Sequence, residues 1–517
     1  MREFVKPKKD VVYMEKNKKQ ALILSIVAVV TLIALVVGAT FAYFKAQGGT
    51  GKSTDVKVTT YTTDMLTFTT GNAISLYADQ SSFGQEKGSL SGETFAKATL
   101  VANNKTNEAT DNYYVYFNIE NNTFKYTLGE DKPELILTVT GPDGNEVTSL
   151  PGLTHKVVQD RENKSISGFD VTTTNGLITI ANKKTITATP RAEEQYTLKL
   201  TFVNYEGDQT ANATSTLSAK VMIQKEFIPQ VVSDVCTNGE NLATCITTLA
   251  GKSSASLTKI YHHDGTLENG INDNSYRFAG ASDAVNNYVC FGSTVTPCPA
   301  DNLYRIIGVF DNKVGENQTE QRVKLIKSTS VGDKKWNNNK SNIWSTSSLS
   351  TYLDNDFIFT FDETTRRKIV LTTWKVGGNT LANITKQPAK TVYQNEVVQP
   401  NPGTTSNGET EVNRQIGLMY ASDYGFAAAP SAWTSTLYDY DGAAIKSANW
   451  MYLGSYEWII SRNADRSDAA LYVNGSGFLG NYDIVTLAHG VRPVFYLTSS
   501  VTYETGSGTK TEPIRIN

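Results

Sequence analysis

The segment YYVYFNI at residues 113–119 places every second side chain, all of them apolar, on one face of an extended chain. A period of two is the pattern of a β-strand that is buried on one side. The same alternation recurs, between short turns, at residues 135–139, 196–202 and 217–223. We therefore predict a β-sandwich of jelly-roll-like type over residues 45–228.

The composition supports a folded extracellular protein rich in turns. Of the 517 residues, 39% are hydrophobic and 19% are charged, which is enough apolar material to bury sizeable cores. The net charge of −3 argues against a nucleic acid as partner, because nucleic-acid-binding domains carry basic surfaces.

The N-terminus predicts the cellular compartment. Residues 1–20 carry a net charge of +4 and form a basic cytoplasmic segment, and the 24 residues 21–44 carry no charge. A helix crosses a bilayer with about 20 apolar residues. The basic flank stays inside, so the rest of the chain faces outward. Small residues at 39–42 leave a cleaved signal open. We expect a single membrane span, or secretion after cleavage, in a Gram-positive-type bacterium.

Four cysteines agree with an oxidising compartment. Cys236 and Cys245 bracket one short loop, and Cys290 and Cys298 bracket another. Zinc ligands would need C-x-x-C spacing or a matching histidine pair, and the sequence contains neither. We expect disulfides and favour pairing within each loop, although four cysteines allow three connectivities.

Residues 229–517 have a different texture and predict an α+β domain with long loops. Strand-like runs alternate with irregular segments, and all six tryptophans fall in this part. The best helical pattern lies at residues 347–371. The strand-like runs are at residues 303–310, 323–327, 457–462, 470–473 and 491–497.

The first half resembles the camelysin/TasA-like fibre subunits. A lysine-rich start, an apolar segment ending GATFAYF at residues 38–44 and a threonine-rich sandwich carry this resemblance. It implies a secreted matrix or fibre component that assembles with itself through the sandwich.

The second half resembles the C-type-lectin-like fold, in the branch of the formylglycine-generating enzymes. The strand at 457–462, the turn GSG at 475–477 and the segment GVRPVF at 490–495 carry the resemblance. It implies that the strands at 303–310 and 491–497 pair as the base of the domain, with loops gathered opposite. The enzymatic activity is not implied, because that branch uses cysteines near its end and none follows Cys298.

Catalytic motifs are missing from the sequence. The cluster His262-His263-Asp264 lacks the further ligands of a catalytic metal site and is interpreted as a surface turn. No G-x-S-x-G elbow is present. We therefore do not expect an enzyme, although paired carboxylates of a glycan hydrolase cannot be recognised from sequence.

The loop at residues 430–450 is the predicted ligand-binding surface. Aromatic rings stack on sugars and carboxylates accept from their hydroxyl groups, and loops on a rigid scaffold concentrate binding residues. The candidate residues are Trp433, Tyr438, Asp439, Asp441 and Arg462. Asp439 and Asp441 are also weak candidates for calcium, which prefers oxygen ligands.

These patterns favour a bacterial surface binding or adhesion protein, in which a sandwich stalk presents a lectin-like head to a glycan or a protein. Two alternatives stay open. One is a structural subunit of an extracellular fibre or biofilm matrix, and the other is an extracellular glycan hydrolase.

Overall fold

The computed structural model describes residues 43–48, 64–78, 83–84, 87–103, 108–315, 318–401 and 408–517. The predicted basic segment 1–20 and residues 21–42 of the predicted membrane segment lie outside these ranges. Among the described residues, none of the helices combines the length and the apolar character of a membrane span. Tyr43 and Phe44, the last two residues of the predicted segment, begin the first β-strand instead.

The chain divides into two compact units, unit 1 at residues 1–227 and unit 2 at residues 228–517. In chain order, the strands of unit 1 are β1 (Tyr43–Gly48), β2 (Met65–Thr70), β3 (Ser75–Tyr77), β4 (Leu90–Val101), β5 (Ala109–Asn122), β6 (Leu135–Thr140), β7 (His155–Gln159), β8 (Ser165–Asp170), β9 (Gly176–Ala188), β10 (Arg191–Phe202) and β11 (Thr216–Gln224). One sheet has the order β3-β1-β11-β5-β9, and the other has the order β2-β4-β10-β6-β8-β7.

One core joins the two sheets of unit 1. Inward residues of β5, such as Val115 and Phe117, share a single apolar cluster with Leu198 and Leu200 of β10. Each of these four side chains is buried. The four strands predicted from period-two alternation are confirmed as β5, β6, β10 and β11, because alternation is what a sheet buried on one face requires.

Unit 2 contains the remaining strands. They are β12 (Ile260–His262), β13 (Tyr276–Phe278), β14 (Tyr288–Cys290), β15 (Leu303–Lys313), β16 (Thr319–Lys327), β17 (Asp333–Lys335), β18 (Thr372–Lys375), β19 (Gly378–Asn379), β20 (Glu411–Arg414), β21 (Ile416–Gly417), β22 (Glu457–Asn463), β23 (Ala469–Val473), β24 (Leu479–Ile484), β25 (Ala488–Gly490), β26 (Val494–Tyr496), β27 (Tyr503–Thr505) and β28 (Ile514–Ile516). The largest sheet runs β21-β26-β16-β15-β14-β28-β27, with β13 also paired to β15 and β12 to β13.

The other sheets of unit 2 are smaller. One runs β17-β25-β22-β23-β24 with β19 paired to β22, and β18 pairs with β20. The prediction that the strands near 303–310 and 491–497 pair directly is wrong: β15 and β26 share the largest sheet, but β16 hydrogen-bonds to both and separates them.

Helices in unit 2 are short. They are α1 (Leu242–Lys252), α2 (Ala255–Thr258), α3 (Ser348–Tyr352), α4 (Glu363–Arg366), α5 (Ala389–Tyr393), α6 (Ala421–Ala427) and α7 (Ala443–Ser447). The helical region predicted at 347–371 is therefore interrupted. Residues 353–360 continue α3 as π and 3₁₀ turns, and the Asp362 side chain accepts a hydrogen bond from the Thr365 N–H to start α4 afresh.

Both disulfides join neighbouring cysteines. Cys236 is bonded to Cys245, and Cys290 is bonded to Cys298. Cys245 lies in α1 and Cys290 ends β14, so each bond ties an irregular loop to a regular element. The predicted disulfides are thus confirmed.

Candidate ligand-binding site

Trp433, the first of the predicted ligand-binding residues, is a core residue. Its side chain is 1% exposed and packs against the rings of Tyr261, His263 and Phe426. Its indole Nε1 donates a hydrogen bond to the carbonyl oxygen of Ala428 at 2.9 Å. An indole whose ring is covered and whose N–H is satisfied cannot stack on a ligand, so the prediction for Trp433 is wrong.

Arg462 is also buried, and the prediction that it contacts a ligand is wrong as well. It lies in β22 and none of its surface is exposed. Its Nε donates to the carbonyl oxygen of Val376 at 3.0 Å, and its Nη2 donates to that of Glu409 at 2.8 Å. The guanidinium therefore holds loop backbone to the sheet, because a buried cation needs such acceptors.

The other three candidates lie on the surface. Tyr438, Asp439 and Asp441 are exposed on one 3₁₀ turn, Leu437–Asp441. Asp439 accepts a hydrogen bond from the Thr436 hydroxyl at 2.6 Å. The structure therefore leaves three of the five candidates exposed, and all three lie on this turn.

Asp439 and Asp441, the weak candidates for calcium, have no third histidine, cysteine or acidic side chain close enough to share an ion with them among the described residues. In the part of the chain that the structure describes, one group of three or more histidine, cysteine or acidic side chains has ligand atoms close enough to share a metal ion. It consists of Cys236, Glu240 and Cys245, and both of its cysteines are in a disulfide. A calcium ion needs six to eight oxygen ligands, which two exposed carboxylates do not supply.

A different concave surface lies beside the Cys290–Cys298 disulfide. This cleft has a volume of about 570 Å³. Three segments line it: residues 290–295 of the disulfide loop, residues 362–368 around α4, and residues 504 and 515–517 near the last strand. A volume of this size falls in the range of small-molecule sites.

The disulfide loop is one wall of the cleft, and Arg515 supports it. Cys290 and Arg515 are direct partners in the parallel pairing of β14 and β28. The Arg515 guanidinium donates to the carbonyl oxygens of Ser293 at 3.1 Å and Val295 at 2.6 Å. A planar cation that bridges two carbonyls fixes the shape of a loop, so this wall is preorganised.

A second wall is formed by the turn that begins α4. Asp362 accepts hydrogen bonds from the Thr365 N–H at 2.9 Å and the Thr365 hydroxyl at 2.8 Å. These hydrogen bonds lower the pKa of the Asp362 carboxyl and keep it ionised. Lys368 closes this wall, and its Nζ lies 3.4 Å from the carbonyl oxygen of Ile516.

The cleft is polar and carries both signs of charge. Asp362 and Glu504 contribute carboxylates, while Lys368 and Arg515 contribute cations. Phe291 is the sole aromatic residue among those lining the cleft, and it is 1% exposed. The cleft is therefore suited to hydrogen bonding and ion pairing with a polar ligand, and not to ring stacking.

From the sequence, the loop between Cys290 and Cys298 was predicted only to be closed by a disulfide, and the cleft was not predicted. The available signal was the stretch CFGSTVTPC at residues 290–298, in which a short closed loop carries several hydroxyl groups. The other two walls are distant in the sequence, and nothing in the local patterns of residues 362–368 and 504–517 marks them as neighbours.

Comparison with protein-family models gives a match within unit 2. A family model described as "Domain of unknown function (DUF6273)" matches residues 320–499. No curated protein and no solved structure matches the chain. The matched region contains the α4 wall of the cleft but neither the disulfide loop nor the last strand.

Proposed function

We propose that this chain is an extracellular binding protein of the bacterial surface, and that unit 2 takes a polar, charged ligand into the cleft beside the Cys290–Cys298 disulfide. Unit 1 serves as the stalk. The observation that carries the proposal is the cleft itself, with its volume of about 570 Å³ and two braced walls.

The disulfides support the extracellular part of the proposal. Four cysteines in two bonds are expected outside the reducing cytosol. The uncharged segment at residues 21–42, which precedes β1, supplies either a membrane anchor or an export signal.

The lining of the cleft narrows the class of ligand. The carboxylates and cations that line the cleft complement a molecule that carries hydroxyl groups together with an amine or a carboxylate. Glycans bearing charged substituents combine these groups. Stacking of a neutral sugar ring is disfavoured, because the aromatic ring that borders the cleft is covered.

A glycan array probed with the full chain tests the proposal. We expect signals on charged glycans that disappear in the variant Thr364→Trp, because Thr364 is exposed and lines the cleft, which an indole would fill. Thr434→Trp is the matched control: Thr434 is also exposed but does not line the cleft. Binding that survives Thr364→Trp contradicts the site.

Two other outcomes would support the alternative functions. Shortening of a bound glycan, followed by chromatography, would indicate a hydrolase. Filaments of purified protein in electron micrographs, unchanged by Thr364→Trp, would indicate a structural subunit.

A further inference from the structure

A lysine and an aspartate are in contact inside unit 2, away from solvent. Lys324 lies in β16 and Asp423 lies in α6, and the Nζ of Lys324 is 2.5 Å from the Oδ2 of Asp423. The two side chains are only 1% and 2% exposed. Ionised pairs buried to this degree lose much of their hydration without full compensation.

The surroundings of the lysine are mainly aromatic. The Lys324 Nζ is 4.4 Å from the ring centre of Tyr420 and between 5.3 and 5.5 Å from those of Phe310, Trp374 and Tyr496. Burial lowers the pKa of Lys324, which favours the neutral amine. A neutral amine has a free electron pair and is a nucleophile.

The aspartate is held with both carboxyl oxygens contacted. Its Oδ2 accepts from the backbone N–H of Tyr420 at 3.0 Å, and its Oδ1 lies 3.4 Å from Nη1 of Arg277. Arg277 is itself paired with Asp273 at 2.9 Å. Donors fixed at carboxyl oxygens stabilise the negative charge that develops when a nucleophile attacks the carboxyl carbon.

A buried glutamate, Glu396, lies on the other side of α6 residues Ala421 and Ser422 as their hydrogen-bond acceptor. The Glu396 carboxyl accepts hydrogen bonds from the backbone N–H groups of Ala421 and Ser422, at 2.9 and 3.1 Å, and from the hydroxyls of Ser422 and Ser461. Burial raises the pKa of Glu396, which favours its protonated form.

We infer that Lys324 and Asp423 become joined by an intramolecular amide bond. The Nζ electron pair attacks Cγ of Asp423 and a C–N bond forms. One carboxyl C–O bond breaks, and that oxygen leaves as water with two protons, one that the Lys324 ammonium passed to the carboxylate before the attack and one that nitrogen releases after it. An ammonium and a carboxylate thus give one amide and one water. The step needs neither an oxidant nor a reductant.

The fixed position of Lys324 and the cavity beside the pair both favour formation of the amide. Lys324 is held in the middle of a sheet, paired with Gly308 and Tyr496, so its backbone is fixed opposite α6. Holding two reacting groups in contact replaces a bimolecular encounter with an intramolecular one. A cavity of about 130 Å³ borders both residues. A water molecule occupies about 30 Å³, so the cavity has room for the water released.

The amide also removes the electrostatic penalty of the pair. It replaces two buried charges with a neutral group, while Arg277 keeps its own partner Asp273. The bond would tie β16 to α6 across a sequence separation of 99 residues. Closing so long a loop restricts the unfolded chain strongly.

Peptide mapping of the full chain, reduced and digested with trypsin, tests the inference. Trypsin cannot cut after an acylated lysine, so we expect residues 323–327 to remain one peptide. That peptide should be linked to residues 415–446, with a mass equal to the sum of both minus one water. The linked peptide is expected in most of the wild-type protein. Cleavage after Lys324, with residues 415–446 recovered as a free peptide, would overturn the inference.

Two controls test whether the link is specific to Lys324 and Asp423. Lys327 is 5% exposed and in the same strand, but its Nζ donates to the carbonyl oxygen of Asp301 at 2.8 Å, so trypsin should cut after it normally. The variant Asp423→Ala should release the unlinked peptides. A linked peptide that persists in this variant would refute Asp423 as the partner. The wild-type map decides the inference even when the variant does not fold.

Discussion

Replacing His263 with phenylalanine should reduce the sensitivity of unit 2 to acid. The imidazole is fully buried, with the Phe426 ring 4.8 Å away and the Trp433 ring 5.2 Å away. Neither ring nitrogen has a hydrogen-bond partner in the described part of the chain. Burial therefore lowers the pKa of His263 to about 3 from its usual value of 6.5. The surface turn predicted for His262 and His263 is wrong at His263 for the same reason.

The direction and size of the effect follow from this lowered pKa. At pH 7 the histidine is mostly neutral in both the folded and the unfolded chain, so its protonation costs little stability there. As the pH falls, the unfolded chain binds a proton at His263 that the folded chain does not bind. Unit 2 therefore loses stability until the pH reaches about 3. One pKa unit corresponds to about 1.4 kcal/mol, so the loss between pH 7 and pH 5 is about 2 kcal/mol.

Urea unfolding at pH 7 and pH 5, followed by tryptophan fluorescence, measures this loss. All six tryptophans are in unit 2, so the signal reports that unit alone. We expect wild-type protein to lose about 2 kcal/mol more than His263→Phe between the two pH values. At pH 7 the variant should be at least as stable, because it removes two unsatisfied nitrogens. An equal loss in both proteins would refute a neutral, buried His263.

Three further outcomes are expected. Trp433→Ala and Trp458→Ala should each lower the free energy of unfolding by about 3–5 kcal/mol in the same assay, because both indoles are buried and donate to backbone carbonyls; a cost below about 1 kcal/mol would contradict their burial. Removing both Cys290 and Cys298 as alanines should cost about 2–3 kcal/mol and weaken glycan-array signals; unchanged urea midpoints would argue that the bond adds no stability. If residues 21–42 span the membrane, protease added to whole cells should digest the chain beyond that segment and spare the basic head, whereas intact full-length protein would count against the span.

The strands of both units could be predicted because their signal is local. Alternation at residues 113–119 places Val115 and Phe117 in the core, and this follows from the geometry of an extended chain alone. In unit 2, the runs at 303–310 and 457–462 are found as β15 and β22. Their pairing could not be predicted, since nothing in either run specifies that β16 hydrogen-bonds to β26 as well as to β15.

Exposure in the loops could not be predicted, because it depends on tertiary contacts. Trp433 follows Pro430, and the 3₁₀ turn that begins there leads the chain back so that the indole meets Phe426. The burial of Arg462 and Lys324, which lie in strands, could not be predicted from the sequence either. Each is charged, but each is covered by elements from elsewhere in the chain that supply acceptors. The cleft has the same origin, because its three walls meet only in the folded unit.

The position of β28 has a consequence for when unit 2 can form. Ile514 pairs with Val289 of β14, so a strand near the middle of the chain stays unpaired on one edge until residues 514–516 arrive. The backbone N–H of Leu242, at the start of α1, likewise donates to the carbonyl oxygen of Val501. A chain emerging from the ribosome in order would therefore keep this unit open until residues 514–516 have emerged. Contacts this distant slow folding, and exposed strand edges attract chaperones and other chains in the interval.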